Sequence, residues 1–177
     1  MNIPTKNRLA GLALALAVLI SDQLSKSWVL HGLDLPARGT MRLLPFLNFT
    51  MVWNHGVTFG LLTSHGALAP FLLGALALAV VCALGYWLWR SNNLLTSLPI
   101  GAIAGGAIGN VIDRLRYGAV VDFVHAHAFG YSWYVFNLAD AAIVCGVGAL
   151  MFDSFRHKAG SEANSVGPNR RPGSRIR

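Results

Sequence analysis

The sequence predicts a membrane protein of the all-α class, with four transmembrane helices and a small extracytoplasmic β-sheet after the first helix. Three observations carry that prediction. Only 12% of the residues are charged while 54% are hydrophobic, and mean hydropathy is +0.52, a balance suited to lipid as the main solvent. Several long stretches have no charge, or only one. Between the first two of them lies a segment in which apolar and polar residues alternate.

The first span covers about residues 9–30, interrupted by Asp22 and Lys26 near its far end. Lys6 and Arg8 ahead of the run GLALALAVLI also fit the start of a cleavable secretory signal. The Ala-x-Ala triplets, however, lie inside the apolar run, and apolar character resumes beyond Asp22, so retention as a span is favoured. Residues 67–89 and 94–112 carry no charge and are each about as long as the roughly 20 residues that cross a hydrocarbon core. The fourth span, about 132–152, carries one charge, Asp140. Together they make one membrane-embedded domain over residues 1–158. Residues 159–177, rich in Gly, Ser, Pro and Arg, have almost nothing to bury and are expected to form a disordered basic tail.

Orientation is not decided by the short loops. Lys6, Arg8, Arg90, Arg156 and Lys158 fall on one side, and Lys26, Arg38, Arg42, Arg114 and Arg116 on the other. The tail arginines tip the balance towards cytoplasmic termini. In the 31–66 segment, Leu47, Phe49, Met51 and Trp53 alternate with Asn48, Thr50, Val52 and Asn54, the pattern of a half-buried strand. A strand cannot leave open edges in lipid. It is therefore expected at the outer surface, with Gly56–Gly60 continuing the sheet. In the third span, Gly101, Gly105 and Gly109 recur every four residues and form a small-residue face, expected to hold the fourth span. Cys82 and Cys145 sit inside predicted spans and read as small packing residues.

Three of the seven acidic residues, Asp113, Asp122 and Asp140, fall between residues 109 and 140. Ionisable groups at membrane depth are costly and mark either a functional site or a compensated pair. Asp113 has a compensating neighbour in Arg114. Asp122 and Asp140 have no cation obviously assigned to them, and both can meet at one membrane face. Two carboxylates in a partly dry site do not both ionise easily, so one holds a proton while the other takes one from water. That is the chemistry of an aspartyl hydrolase. Ser21 and Ser25 beside Lys26 leave a Ser–Lys nucleophile open, and Asp22 with Lys26 has the spacing of an intrahelical ion pair. A proton pathway is a further alternative, although no inverted repeat or broken helix supports transport. A structural subunit would leave the gathered Asn, Asp and Arg unexplained. His125 and His127 lack a third ligand at metal-site spacing, so no metal site is expected.

At these residues the chain resembles the lipoprotein signal peptidase family, signal peptidase II. The matching blocks are DQLSK (22–26), NHGVTFG (54–60), GGAIGNVIDR (105–114) running to GAVVDF (118–123), and FNLAD (136–140). They span roughly residues 9–152. The resemblance implies a membrane aspartyl endopeptidase of the bacterial inner membrane that removes signal peptides from prolipoproteins before a diacylglyceryl-modified Cys. It implies Asp122 and Asp140 as the catalytic pair, with Asn54, Asn110, Arg114 and Asn137 binding substrate or orienting the site. Asp22, Lys26, Gly56 and Asp113 take supporting places. Val57 and Thr58 stand where Ala is common in the family, and Tyr134 where Pro is common. Membrane lipids are expected partners; no cofactor, metal or nucleic acid is implied, and a monomer is expected.

Overall fold

A computed structural model describes residues 3–56 and 69–165. The order of elements is α1 (Ile3–Ser27), a π-turn (Trp28–Gly32), α2 (Leu35–Arg38), β1 (Thr40–Leu44), β2 (Leu47–Asn54), α3 (Ala69–Arg90), α4 (Leu94–Tyr117), β3 (Val120–Ala128), β4 (Tyr131–Ser132) and α5 (Leu138–Ser165). Helices α1, α3, α4 and α5 are long and apolar enough to cross a membrane. Their outward faces expose Leu12, Leu16, Leu76, Val80, Val144 and Phe152, as expected where the surrounding solvent is lipid.

α4 is the centre of the bundle and packs against α1, α3 and α5. Small residues make this possible. A Cβ on Gly101 would run into the backbone of Gly11, and one on Gly105 into the backbone of Ala15, both on α1. This corrects the expectation that this face holds the fourth span. It holds the first, and Gly106, about 100° further round from Gly105, receives α5 at Ala139 and Ile143. The third span thus has two small-residue faces. Leu84 and Leu88 of α3 pack with Ile100 and Ile103 of α4, with Ile143 and Leu150 of α5 against them.

The strands form one antiparallel sheet in the order β1-β2-β3-β4. The expected strand over Leu47–Asn54 is β2, but its partner β3 comes from the segment between the third and fourth spans, which reads from the sequence as a short loop. The turn between β3 and β4 has Phe129 and Gly130 at φ 51° and 82°, the two positive values a tight hairpin turn uses. Beneath the sheet, Val29 and Leu30 of the π-turn, Leu35, Val121 and Phe123 form a second core, and Phe49 meets Phe123 edge-on at 5.5 Å.

Several boundaries differ from expectation. The third span runs on to Tyr117, so Asp113 and Arg114 are helical. The fourth starts at Leu138 instead of 132, because Trp133 and Phe136 donate their backbone N–H groups to Ala126 and Val124 of β3. α5 continues to Ser165, so residues 159–165 are helical and not tail; Ala, Glu and Ser are tolerated there, and the first Pro comes only at 168. Cys82 and Cys145 are free and exposed on the helix surfaces, since lipid accepts a small apolar side chain as readily as a protein interior does. The expected continuation of the sheet through 57–60, and residues 166–177, lie outside the described residues.

Candidate active site

The site is built on the first turn of α5. Asn137 precedes that helix, and its side-chain Oδ1 accepts the backbone N–H of Asp140 at 3.0 Å, while Asp140 Oδ2 accepts the backbone N–H of Asn137 at 3.2 Å. This reciprocal pair is a capping box with Asn and Asp in its two roles. Ala139, between them, donates its N–H to Asp22 Oδ1 of α1 at 3.0 Å. Donors that helix geometry leaves without internal partners are thus met by side chains, and Asp140 is fixed in the same act. A carboxylate there also suits the positive end of the helix dipole.

Asp122 arrives from β3. The bridge between Val124 and Phe136 brings that strand against the start of α5, and Asn137 Nδ2 donates to Asp122 Oδ1 at 2.7 Å. Asn54 Nδ2, from β2, donates to the other oxygen, Oδ2, at 2.9 Å. Asn54 stands opposite Val120 in the sheet and Asp122 opposite Val52, so the two share a face diagonally. Asn54 is itself aimed by Gly56, whose N–H donates to Asn54 Oδ1 at 2.9 Å. Gly56 adopts φ +77°, and a Cβ there would collide with Leu73. Asp122 is 1% exposed. Burial pushes its carboxyl up to about 6; the hydrogen bond from Asn54 opposes the rise and the charge of Asp140 adds to it. Asp140 is only half-buried.

Behind the two carboxylates lies a buried ionic cluster. Lys26, 2% exposed, donates to Asp22 Oδ2 at 2.8 Å, to Asp113 Oδ2 at 2.7 Å and to Asn110 Oδ1 at 3.0 Å. Asn110 Nδ2 then donates to Asp140 Oδ1 at 2.9 Å. The expected Asp22–Lys26 pair forms. The expected compensation of Asp113 by Arg114 does not, because successive helical residues point about 100° apart. Asp113 instead takes Lys26, the side chain of Gln23 at 3.0 Å and the N–H of Val121 at 3.1 Å, tying α1, α4 and β3 together. A Cβ on Gly109 would strike the Asp22 carboxylate, so the glycine makes room for the cluster. Arg114 donates to the Asn110 carbonyl at 3.2 Å, and its buried Nε has no partner among the described residues.

The residues singled out in the sequence therefore converge: Asp22, Lys26, Asn54, Gly56, Asn110, Asp113, Asn137, Asp122 and Asp140 belong to one network. Gln23 belongs too and is not among them; a polar amide beside Asp22 inside a span was the available signal. Ser25 donates to the Asp22 carbonyl at 2.7 Å. The three contacts of Lys26 use all its donor positions, leaving no lone pair to take a serine proton. His125 binds Ser132 Oγ at 2.7 Å and lies 5.7 Å from the His127 ring. A cleft of about 650 Å³ opens beside Asp122, walled by Trp53, Asn54, Trp133 and Tyr134. A larger one of about 760 Å³ beyond the shared Trp133 and Tyr134 contains neither carboxylate.

Two carboxylates linked through a single asparagine, at the end of a bundle of membrane-length helices, fit one class of protein: a polytopic membrane hydrolase of aspartic type. Comparison with known proteins narrows it. Residues 14–156 match the family model for signal peptidase (SPase) II. The lipoprotein signal peptidase of Methylorubrum extorquens (strain PA1) is 48% identical over 90% of this chain and 94% of its own length. That of Methylobacterium radiotolerans is 50% identical over 82% and 85%. A solved bacterial membrane enzyme at 2.3 Å resolution superposes with a TM-score of 0.71, at 26% identity, over 93% of this chain and 94% of that one. A second, at 1.9 Å resolution, gives 0.70 at 29% identity over 81% and 90%. The chain belongs to the signal peptidase II family, aspartic endopeptidases that remove signal peptides from prolipoproteins.

Proposed function

We propose that Asp122 and Asp140 are the catalytic pair, and that the chain cuts prolipoproteins immediately before a Cys already carrying diacylglycerol, at the outer face of the bacterial cytoplasmic membrane with both termini inside. The observation that carries this reading is the amide cradle: each carboxylate accepts a hydrogen bond at both oxygens, and one asparagine, Asn137, contacts both. Asp122 is buried while Asp140 is half-exposed, and burial disfavours the charged carboxylate, so Asp122 is assigned as the acid and Asp140 as the base.

In the first step Asp140 takes a proton from water as the water oxygen attacks the scissile carbonyl carbon, and Asp122 gives its proton to the carbonyl oxygen. The tetrahedral diol then collapses, the C–N bond breaks, the proton held by Asp140 goes to the departing cysteine nitrogen, and Asp122 recovers a proton from the diol. No covalent adduct forms. Arg114, which donates to the Asn110 carbonyl, takes a site-orienting role beside the pair. The aromatic walls of the cleft at Trp53, Trp133 and Tyr134 suit the apolar signal peptide, and acyl chains can remain in lipid.

The test is cleavage of diacylglyceryl-modified and unmodified precursor by purified enzyme in detergent. Asp122→Asn and Asp140→Asn, each shown to be folded, are expected to lose at least about 10²-fold in turnover, and the unmodified precursor to be cut far more slowly. Near-native turnover by either variant would refute the catalytic pair. Equal cleavage of the two precursors would refute the lipid requirement.

A further inference from the structure

We propose that Lys26, which touches neither carboxylate of the catalytic pair, is a positioning residue that acts on Asp140 through the side chain of Asn110. The inference rests on the assignment of Asp122 and Asp140 as the pair.

The argument begins with the asymmetry of the asparagine amide. Its oxygen only accepts and its nitrogen only donates, whereas an ammonium group only donates. Lys26 lies 3.0 Å from Asn110, so the end of the amide facing it must be Oδ1. Nδ2 is thereby turned outward, and it meets Asp140 Oδ1 at 2.9 Å. The opposite orientation would set an N–H against the ammonium and an oxygen against the carboxylate. Asn137 Nδ2 also donates to Asn110 Oδ1, at 3.2 Å, but this is a neutral contact to a group already shared with Asp122, and a charge-assisted bond is about twice as strong.

Lys26 is in turn held without freedom. Asp22 and Asp113 take its other two donors, and neither acid touches Asp140 directly. Asp22 is anchored by the N–H of Ala139, one residue before Asp140, and Asp113 by the N–H of Val121, one residue before Asp122. The cluster thus grips the backbone beside each catalytic carboxylate, while Lys26 selects the amide orientation that presents a donor to Asp140. Its removal should therefore impair the chemical step more than substrate binding.

Removing Lys26 alone strands two buried carboxylates, which is strongly destabilising. The informative variant is the charge-matched Lys26→Met/Asp113→Asn pair, which removes one positive and one negative charge and leaves Asp22 in place. The groups facing Asn110 and the pair are then Asp22 on α1, Arg114 on α4, Asp122 on β3 and Asp140 on α5. The assay is steady-state cleavage of lipid-modified precursor by this variant, by Asn110→Ala, and by the two combined, with thermal stability measured alongside. Each of the first two is expected to lower kcat at least about 10-fold, with KM changed less than about 3-fold. With Asp113→Asn alone as the control for the Val121 contact, the combination should be no more than about 2-fold worse than the poorer parent, since both break the link from Lys26 to Asp140. Full multiplication of the two losses, or a loss confined to KM or to thermal stability, would overturn the inference. Asp140→Asn in the same series distinguishes the underlying assignment: full turnover there would refute the catalytic pair itself, whereas its inactivity together with multiplying losses refutes only the role of Lys26.

Discussion

Asp122→Asn should make the protein more stable relative to wild type as pH rises, and the size of the gain follows from the site. Asp122 is 1% exposed, and burial raises its carboxyl from 3.8 to about 6. Below pH 3.8 the group is protonated in folded and unfolded chains alike and contributes nothing. Between 3.8 and about 6 the unfolded chain releases the proton that the folded protein still holds, so stability falls as pH rises. Above about 6 both forms are ionised, and the accumulated cost is about 3 kcal/mol at roughly 1.4 kcal/mol per pKa unit. Asparagine has no such titration. It carries a fixed penalty of about 1–3 kcal/mol, because its NH₂ faces either Asn54 or Asn137, but that penalty is the same at every pH. Denaturant unfolding in detergent micelles, followed by tryptophan fluorescence from pH 3.5 to 7.5, measures the difference between the two proteins. The variant should gain about 3 kcal/mol on wild type across that range, most of it between pH 4 and 6. A difference that stayed constant within about 1 kcal/mol, or moved the other way, would refute the claim that burial governs this carboxyl.

Four further outcomes follow. Because the acid form of Asp122 is needed, kcat/KM for lipid-modified precursor should fall as pH rises through about 6; a profile flat from pH 5 to 8 would count against its role as donor. Gly56→Ala forces a side chain into φ +77° and against Leu73, at about 1–2 kcal/mol of backbone strain. Turnover should drop about 10-fold as Asn54 loses its aim, and unchanged kinetics would show that the Gly56 contact does not matter. Gly105→Leu should lower stability by about 1–3 kcal/mol through overpacking against Ala15, whereas Gly85→Ala, which meets nothing within 4 Å, should melt like wild type; comparable melting of both variants would contradict the close approach of α1 and α4. A single cysteine at Asn92, in a chain cleared of Cys82 and Cys145, should be labelled from the cytoplasmic side only, and labelling from outside would reverse the proposed topology.

The helices were legible in the sequence because lipid imposes a simple requirement, long uncharged runs, and residues 67–89 and 94–112 meet it. β2 was legible because apolar and polar side chains alternate along it, although burial does not follow that alternation: Leu47 to Met51 are all half-buried and Trp53, on the apolar side, is exposed. β3 was hidden: Val120, Val121, Asp122 and Phe123 are all buried, so no alternation marks its first half, and the alternation of His125 and His127 with Val124, Ala126 and Ala128 is too short to identify a strand alone. The start of α5 was misread because Trp133, Tyr134, Val135 and Phe136 are as apolar as a span, although their backbone is committed to the sheet. Glycine spacing revealed a close-packing face but not which neighbour would fill it, since Gly11 and Ala15, themselves four apart, are one small-residue pair among several in the spans. In the site, residue types were readable and pairings less so. The i,i+4 spacing identified Asp22 with Lys26, but the link from Lys26 to Asp113 crosses between helices, and no local spacing encodes that.

The capping box at Asn137 and Asp140 bears on how the enzyme comes into being. Synthesis delivers Asp22 and Lys26 first and Asp140 last, and the bonds that start α5 are the bonds that orient its carboxylate. A nascent chain with three helices inserted has Asp122 and its Asn54 donor but neither Asn137 nor Asp140, so on the proposed assignment it lacks half of the catalytic pair. On the proposed assignment, completing the final helix and assembling the catalytic pair are one event, so the order of insertion would time the onset of activity.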